Sequence, residues 1–460
     1  MIKKSLYNAF QDIVGKDHVL TEPEDLVTYS YDAAPLDSVS PAAVLMPRTS
    51  EELGKIIVLC HENRLPITVR GAGTNLSGGT IPMANGIVLL TQLFNNIIEI
   101  NEADMYAIVQ PGVVTAKLAS RVEALGLFYP PDPGSQAVST LGGNVMENAG
   151  GLRGLKYGVT KDYVMGLNFF DAMGNHIRTG SKTVKCVTGY NITGLMIGSE
   201  GTLGILDEIT LKLIPYPEHR KSIITAFKSI EDASEAVADI IASRIVPATL
   251  EMMDKFTIQA VEAFSHAGLP TDAGALLLIE LDGYPGQVEE DASKVVAICQ
   301  KHGAYQTKTA RTDAEREKIW AARRSALSAL AKLKPTLVLE DATVPRSRIP
   351  DMVKGLAKIA QKHQLTIGTF GHAGDGNLHP TILTDRRDKK EWLKVEKAIE
   401  DIFSQALALG GTLSGEHGTG IAKSAFLENE IGKASVDFSR RLRKALDPNN
   451  ILNPGKISGV

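Results

Sequence analysis

Apolar positions in the first half of the chain fall in short runs closed by Gly, Pro or Asn. Examples are AAVLMP (42–47), ITVRGAG (67–73), GIVLLTQL (86–93), YAIVQPGV (106–113) and LGILDEITLKLIP (203–215). Runs of this length, rich in Val, Ile and Leu and bounded by turn residues, predict strands. SEELGKIIVLCHENR (50–64) and TAKLASRVEALG (115–126) lie between them and space their apolar residues for short helices. The texture changes after Pro215-Tyr216-Pro217. Longer helical patterns, SIEDASEAVADIIAS (229–243) and GQVEEDASKVVAICQKHG (286–303), alternate with the strands ALLLIELDG (275–283), TLVLEDATV (336–344) and LTIGTFGH (365–372). Two β-α-β-like units predict a ferredoxin-like sheet layered with helices. The tail LDPNNILNPGKI (446–457) is turn-rich yet apolar enough to dock on a core.

The fold class is therefore α+β, with boundaries at 1–217, 218–410 and 411–460. At 460 residues the chain exceeds one core and suits two or three domains. With 43% hydrophobic and 22% charged residues it reads as an ordinary globular protein. Its net charge is −4 and no basic block is present, which argues against nucleic-acid binding. Cys60, Cys186 and Cys299 stand apart, without a CxxC pair, an iron–sulfur pattern or a disulfide framework, which suits a reducing cytoplasm. MIKKSLYNAFQDIVGKDH (1–18) reads as an amphipathic helix without a signal-peptide core, and no apolar run is long enough to span a bilayer.

The candidate chemistry is concentrated in two Gly-rich stretches. GHAGDGNLHP (371–380) carries His372 and His379, and SGEHGTG (414–420) carries Glu416 and His417. Two imidazoles and one carboxylate form a common set for a divalent metal with an open position. Residues seven apart in a plain strand point to opposite faces, but the turn dipeptide Asp375-Gly376 can fold the chain back so that the two rings converge. Glu416 and His417 are neighbours, so one can ligate while the other faces substrate. Two ordinary polar-capped loops are the alternative reading. Upstream, Arg70-Gly71-Ala72-Gly73-Thr74-Asn75-Leu76-Ser77-Gly78-Gly79 follows an apolar strand, and small residues there let backbone N–H groups approach phosphate oxygens. The spacing is neither GxGxxG nor GxxxxGK[ST]. Three further small-residue segments follow, at 131–135, 139–151 and 198–205. Together the four suit a long, flat ligand lying against backbone.

These motifs resemble the FAD-linked oxidases of the vanillyl-alcohol oxidase type. Within them the chain is similar to the branch holding D-lactate dehydrogenase, the FAD subunit of glycolate oxidase and D-2-hydroxyglutarate dehydrogenase. The resemblance runs from about Pro41 to Lys456 through PRTSEEL, VRGAGTNLSGG, DPGS with STLGGNVMENAGG, GSEGTLGI, GHAGDGNLHP, SGEHGTG and LDPNNILNPGKI. It implies a two-part FAD-binding domain of the p-cresol methylhydroxylase (PCMH) type, a ferredoxin-like cap, and a C-terminal segment returning to the FAD domain. It implies FAD contacts from Arg70, Gly71, Ala72, Gly73, Thr74, Asn75, Ser77 and Gly78; from Pro133, Gly134 and Ser135; from Thr140, Gly143, Asn144, Asn148, Gly150 and Gly151; and from Glu200, Gly204 and Ile205. The first Gly-rich loop lacks the His that some relatives bond to flavin, so the FAD is expected to be non-covalent.

The resemblance further implies a divalent metal on His372, His379 and Glu416, with Zn²⁺ first and Mn²⁺ or Fe²⁺ as alternatives. A 2-hydroxy acid can chelate such an ion, which lowers the hydroxyl pKa. His417 is then the base, because a neutral imidazole titrates near working pH. The family's W-x-x-R helix matches Trp320-Ala321-Ala322-Arg323, making Arg323 the expected carboxylate partner, with Arg324 beside it the weaker candidate. Hydroxyglutarate-type relatives carry a Lys where this chain has Leu339, which favours D-lactate, glycolate or another small monocarboxylate. The chain has no cluster motif, so onward one-electron transfer needs a partner; O₂, a quinone, an electron-transfer flavoprotein and an iron–sulfur subunit are the acceptors left open. An oxidase using O₂ and an electron-relay subunit are the competing readings, and a homodimer is the candidate assembly.

Overall fold

The computed structural model describes residues 2–457. Met1, which begins the amphipathic N-terminal segment, and residues 458–460 of the predicted C-terminal segment lie outside the described residues. The chain folds as two compact units. One holds the residues up to Gly150, Val159–Tyr216 and the chain from Glu416 onward. The other holds Gly151–Gly158 and Pro217–Gly415.

In the first unit, helix α1 (Lys4–Val14) buries Phe10 and Val14. Strand β1 (Ala43–Leu45) leads through α2 (Ser50–Asn63) to β2 (Ile67–Arg70), and both strands run parallel to β3 (Ile87–Leu90). This is a β-α-β crossover, the connection that parallel strands require. Thr49 caps α2 by accepting the Glu52 N–H at 3.1 Å. Leu53, Ile56, Ile57 and Cys60 recur at helical spacing and are fully or almost fully buried. Burial of each of the three aliphatic side chains contributes about 1.5–3 kcal/mol, well above the helix propensity differences among them. The C-terminal tail closes this core: Ile67 bridges to Leu452, and Ile451 and Leu452 are fully buried.

A second, antiparallel sheet in this unit contains β4 (Ile97–Asn101), β5 (Tyr106–Val109), β6 (Val164–Phe170), β7 (His176–Gly180) and β8 (Ile205–Lys212), ordered β4-β5-β8-β6-β7. Between β5 and β6 lie α3 (Thr115–Glu123) and α4 (Leu141–Glu147). Helix α5 (Ile192–Met196) joins β7 to β8.

The second unit is built on one antiparallel sheet. Its elements are β9 (His219–Phe227), α6 (Ile230–Ala242), β10 (Thr249–Asp254), α7 (Lys255–Ser265), β11 (Ala275–Gly283), α8 (Pro285–Lys301) and β12 (Gln306–Thr309). There follow α9 (Asp313–Arg324), β13 (Thr336–Leu339), α10 (Ile349–His363), β14 (Thr366–His372), β15 (Asn377–Thr384) and α11 (Lys389–Ala408). The strand order is β12-β9-β11-β10-β14-β15-β13. The first four strands have the 4-1-3-2 order of a ferredoxin-like fold, with α7 inserted before its third strand. The β14–β15 hairpin and β13 extend that sheet beyond the expected unit. Helices α6, α8, α10 and α11 pack in one row, whereas α7 packs with α9 and the short helix Ala326–Ala331.

Candidate functional site

The β14–β15 hairpin places His372 and His379. His372 pairs with Asn377 and Phe370 pairs with His379. Residues 370 and 372 share a strand face, so His379, directly opposite Phe370, comes onto the face of His372. The two rings stand edge-on with centroids 5.0 Å apart. Gly376 makes the reversal at φ +92°, and a Cβ there would lie 2.1 Å from the Val344 carbonyl oxygen. The turn predicted at Asp375-Gly376 is thus the device that brings the imidazoles together.

The same face carries a partner that the sequence reading missed. Glu251 on β10 is fully buried. Its Oε1 lies 2.6 Å from His372 Nδ1, and its Oε2 accepts from Arg323 Nε at 2.7 Å. Burial alone would raise this carboxyl, but the charge of Arg323 and the hydrogen bonds from His372 and Arg323 outweigh it and hold Glu251 below its ordinary value. A carboxylate at Nδ1 favours the proton there and leaves Nε2 of His372 as the lone-pair nitrogen. Arg323 is also buried, and its guanidinium stacks 4.7 Å from the Phe370 ring centre. Trp320 anchors the same helix through Nε1, which donates to Ser222 Oγ at 3.0 Å. Arg324, one position on, is paired with Glu317 near the surface.

Asp341 is the second missed acid. It is fully buried and accepts from Ser414 Oγ and from the Gly415 N–H, both at 2.8 Å. Its Oδ1 lies 4.0 Å from His379 Nδ1. Leu339 is half-buried and pairs with Thr381, two residues beyond His379, which puts it on the histidine face. It packs against the apolar cluster that includes Trp320 and Phe370. A signal for Glu251 was available in TLEMMD, where one acid interrupts an apolar strand. A buried charge in that setting must have a partner.

In the first unit the four small-residue segments converge. A Cβ on Gly71 would lie 2.2 Å from Thr140 Oγ1, so the first loop lies directly against the third segment. One on Gly150 would lie 2.6 Å from Glu416 Oε2, which brings that segment against the returning chain. Glu200 joins the fourth segment to the same return by accepting the N–H groups of Thr419 and Gly420 at 2.7 and 2.8 Å. Among the described residues, the backbone N–H groups from Gly71 through Ser77 find no protein acceptor, and Ser77 Oγ is buried without a hydrogen-bond partner. Backbone donors on a loop of small residues fit an oxygen-rich ligand.

Several polar side chains in these segments face the protein instead. Arg70 donates through Nη1 to the Tyr31 carbonyl at 2.6 Å. Asn75 donates to Asp32, Asn144 to Thr115 Oγ1, and Asn148 accepts from the Lys161 N–H. These residues shape the loops, leaving backbone as the surface offered to a ligand. Gly134 has open space where a side chain would be, in a turn closed by the Gln136 N–H on the Pro133 carbonyl, with Ser135 accepting from Val138 and Ser139. Thr140 caps α4 at the Gly143 N–H. Gly204 packs tightly on Phe169 and Met196 at the start of β8, beside the fully buried Ile205. Gly151 opens the short stretch belonging to the second unit.

Glu416 and His417 head the returning segment, with His417 Nε2 4.0 Å from Glu416 Oε1. Beside Gly418 lie two more carboxyls, the half-buried Glu147, whose Oε2 is enclosed, and the buried Glu200. Burial, the neighbouring Glu200 and Asp32 push Glu147 well above its ordinary value against the pull of Lys423. Burial raises Glu200 to about 6 despite its two backbone donors.

Residues 216–457 match the family described as "FAD linked oxidases, C-terminal domain", and residues 41–180 match "FAD binding domain". A Bacillus subtilis protein named glycolate oxidase subunit GlcD is 50% identical over 99% of this chain and 97% of its own length. The Escherichia coli K12 protein of that name is 37% identical, covering 99% and 91%. A D-lactate dehydrogenase of Anaerostipes hadrus is 34% identical, covering 99% and 98%. Among solved structures, p-cresol methylhydroxylase with bound substrate superposes with a TM-score of 0.82 at 19% identity, covering 99% of this chain and 98% of that one, which establishes the shared fold. On these matches the chain belongs to the FAD-linked oxidases and is a flavoprotein oxidoreductase with the PCMH-like fold.

Proposed function

We propose that the protein oxidises a small D-2-hydroxy acid, D-lactate or glycolate, to the 2-keto acid with FAD and a divalent metal, and passes the electrons to an acceptor other than NAD. The observation that carries this reading is the buried Arg323–Glu251–His372 chain beside His379 on one sheet face. It combines a fixed cation for a carboxylate with an imidazole whose Nε2 is set up to ligate.

The first unit's small-residue segments and backbone donors fit FAD, which supplies an acceptor for the substrate's α-hydride when bound. The absence of His from the Gly71–Gly79 loop supports non-covalent attachment. His372, His379 and Glu416 would hold the metal, the nitrogen and oxygen donors favouring Zn²⁺ over Mn²⁺ or Fe²⁺. Such an ion supplies positive charge that lowers the pKa of the substrate hydroxyl. His417 takes the hydroxyl proton. Arg323 is held on one side by Glu251 and stacked on Phe370, so its remaining N–H groups are pre-oriented for the substrate carboxylate. Leu339 offers no partner to a second carboxylate and disfavours dicarboxylic acids.

The names of the B. subtilis and E. coli relatives support a second element, that the chain works as one subunit of a larger oxidase; we place the onward electrons on an electron-transfer flavoprotein or an iron–sulfur chain. Anaerobic flavin bleaching against a panel of D- and L-2-hydroxy acids tests the reading. Rapid bleaching by D-lactate or glycolate is expected. Bleaching by none of the panel, or by hydroxyglutarate alone, would overturn the substrate assignment.

A further inference from the structure

The connection from β7 to α5, residues 181–191, reads SKTVKCVTGYN. Val184, Val187 and Tyr190 in it are 93%, 97% and 94% exposed, and Ile192 and Leu195 on the adjoining helix are more than a third exposed. An isolated exposed apolar residue is ordinary, but three large side chains almost wholly in water within seven residues are not. The loop is pinned at its base. Thr193 Oγ1 donates to Thr179 Oγ1 at 2.9 Å, the Ser181 N–H meets the Met165 carbonyl, and Asn191 caps α5 through the Gly194 N–H. Thr183 Oγ1 donates to the Lys185 carbonyl inside the arch. The exposed side chains therefore sit on a braced projection.

Its charge is equally distinctive. Ala172–Ser199 contains no Asp or Glu, although the chain has 53 acids in 460 residues and a net charge of −4. Arg178, Lys182 and Lys185 fall in that acid-free interval. Lys182 is held at the base by Glu99 and lies over the Tyr106 ring, whereas Lys185 is exposed on the arch itself. Within residues 181–191 the apolar Val184, Val187 and Tyr190 stand beside Lys185 with no acid among them, whereas Lys182 below is paired with Glu99. This mix on the arch complements an anionic surface with an apolar interior. A narrow arch offers little of the broad, flat area a stable protein interface needs. Interfacial lipid binding needs only a few inserted apolar groups and nearby cations, and Tyr is at home at that depth. No helix among the described residues is long and apolar enough to cross a membrane, so attachment of this kind would be peripheral.

We propose that residues 181–191 form a membrane-interfacial arch, seating Val184, Val187 and Tyr190 in the headgroup region of an anionic bilayer with Lys185 against lipid phosphate. The arch lies outside the residues assigned to catalysis, so this inference stands or falls apart from the substrate reading.

The test uses the flavin-loaded full chain with phosphatidylcholine–phosphatidylglycerol vesicles and with pure phosphatidylcholine vesicles. Cys186 sits on the exposed arch while Cys60 and Cys299 are buried, so a polarity-sensitive fluorophore can be attached at Cys186 alone. Expected are co-sedimentation with anionic vesicles, a blue shift of the label, and much weaker binding to neutral vesicles. The triple variant Val184→Asp/Val187→Asp/Tyr190→Asp should lose binding by about tenfold or more at unchanged flavin content, and Lys185→Glu should weaken only the anionic-vesicle binding. Wild-type protein that ignores anionic vesicles, or a triple variant that binds them as well as wild type, would overturn the proposal. Self-association abolished by the triple variant, without vesicle binding, would assign the arch to a second copy of the chain and equally overturn it.

Discussion

Replacing Glu251 by Gln preserves the length of the side chain but removes its charge and one of its two acceptors. In the native site Oε1 serves His372 Nδ1 and Oε2 serves Arg323 Nε, at 2.6 and 2.7 Å, with Glu251 fully buried. A carboxamide can accept from only one of them and must turn its NH₂ group towards the other. If the oxygen faces Arg323, the amide donates to His372 Nδ1 and forces the proton to Nε2, the nitrogen proposed to ligate. If the oxygen faces His372, the amide opposes the Arg323 donors, and in either orientation the buried guanidinium loses its counter-charge. Each charge-assisted hydrogen bond contributes about 1.5–3 kcal/mol, and breaking a buried ion pair from one side costs about 3–5 kcal/mol. Glu251→Gln should therefore lower metal affinity by about 10–100-fold, the usual scale for losing the carboxylate behind a ligating His. Metal content after dialysis, flavin occupancy and thermal unfolding should be measured on one preparation. The expected pattern is lost metal, a lower Tm and retained flavin, since the segments assigned to FAD are, but for Gly151, in the first unit. Glu251→Asp, which keeps the charge, should recover part of the metal. Native metal content and an unchanged Tm in Glu251→Gln would refute the coupling.

His417→Ala should slow flavin reduction by about 10²-fold or more while metal content survives, because His417 is assigned as base and not ligand; stopped-flow bleaching and metal analysis read the two separately. Leu339→Lys should raise kcat/KM for D-2-hydroxyglutarate relative to D-lactate, whereas Arg323→Ala should weaken every 2-hydroxy acid; a wild-type preference for hydroxyglutarate would remove the pocket assignment. Asp254, which caps α7 and accepts the Thr369 N–H, is raised by burial to about 6. A raised carboxyl stabilises the fold fully below its unfolded value of about 3.9 and loses that contribution as pH rises through about 6, so the Tm of wild type should fall relative to Asp254→Asn across that window.

The His372–His379 pair was legible because one turn dipeptide decides it: Asp375-Gly376 dictates a reversal, and the reversal dictates which rings meet. The small-residue segments were legible for a similar reason, since close backbone approach leaves its mark as Gly and Ala. Glu251 was harder to find, because it reaches His372 across 121 positions of sequence through sheet order. No local pattern encodes that order. The inward turn of Asn75 and Asn144 escaped notice as well. An Asn in a Gly-rich loop looks the same whether it meets a ligand or braces the loop. Nor does anything in Gly151–Gly158 announce that it groups with the second unit, where Lys156 and Tyr157 bond Asp282.

Asn453 ties three distant parts of the first unit together. Its side-chain NH₂ donates to the carbonyls of Gly79 and Glu200 at 2.8 and 2.7 Å, and its own N–H meets the Ile67 carbonyl. Ile451 and Leu452 complete the apolar interior beside it. During synthesis, Pro217–Gly415 has all but eight residues of its compact unit in one uninterrupted stretch, whereas the nucleotide-holding half waits for residues some 370 positions downstream of its Gly-rich loop. Flavin uptake is therefore expected only after Asn453 has been added to the nascent chain. A chain truncated before Asp447 would keep every residue of the second unit while its first unit lacks the Asn453 stitch.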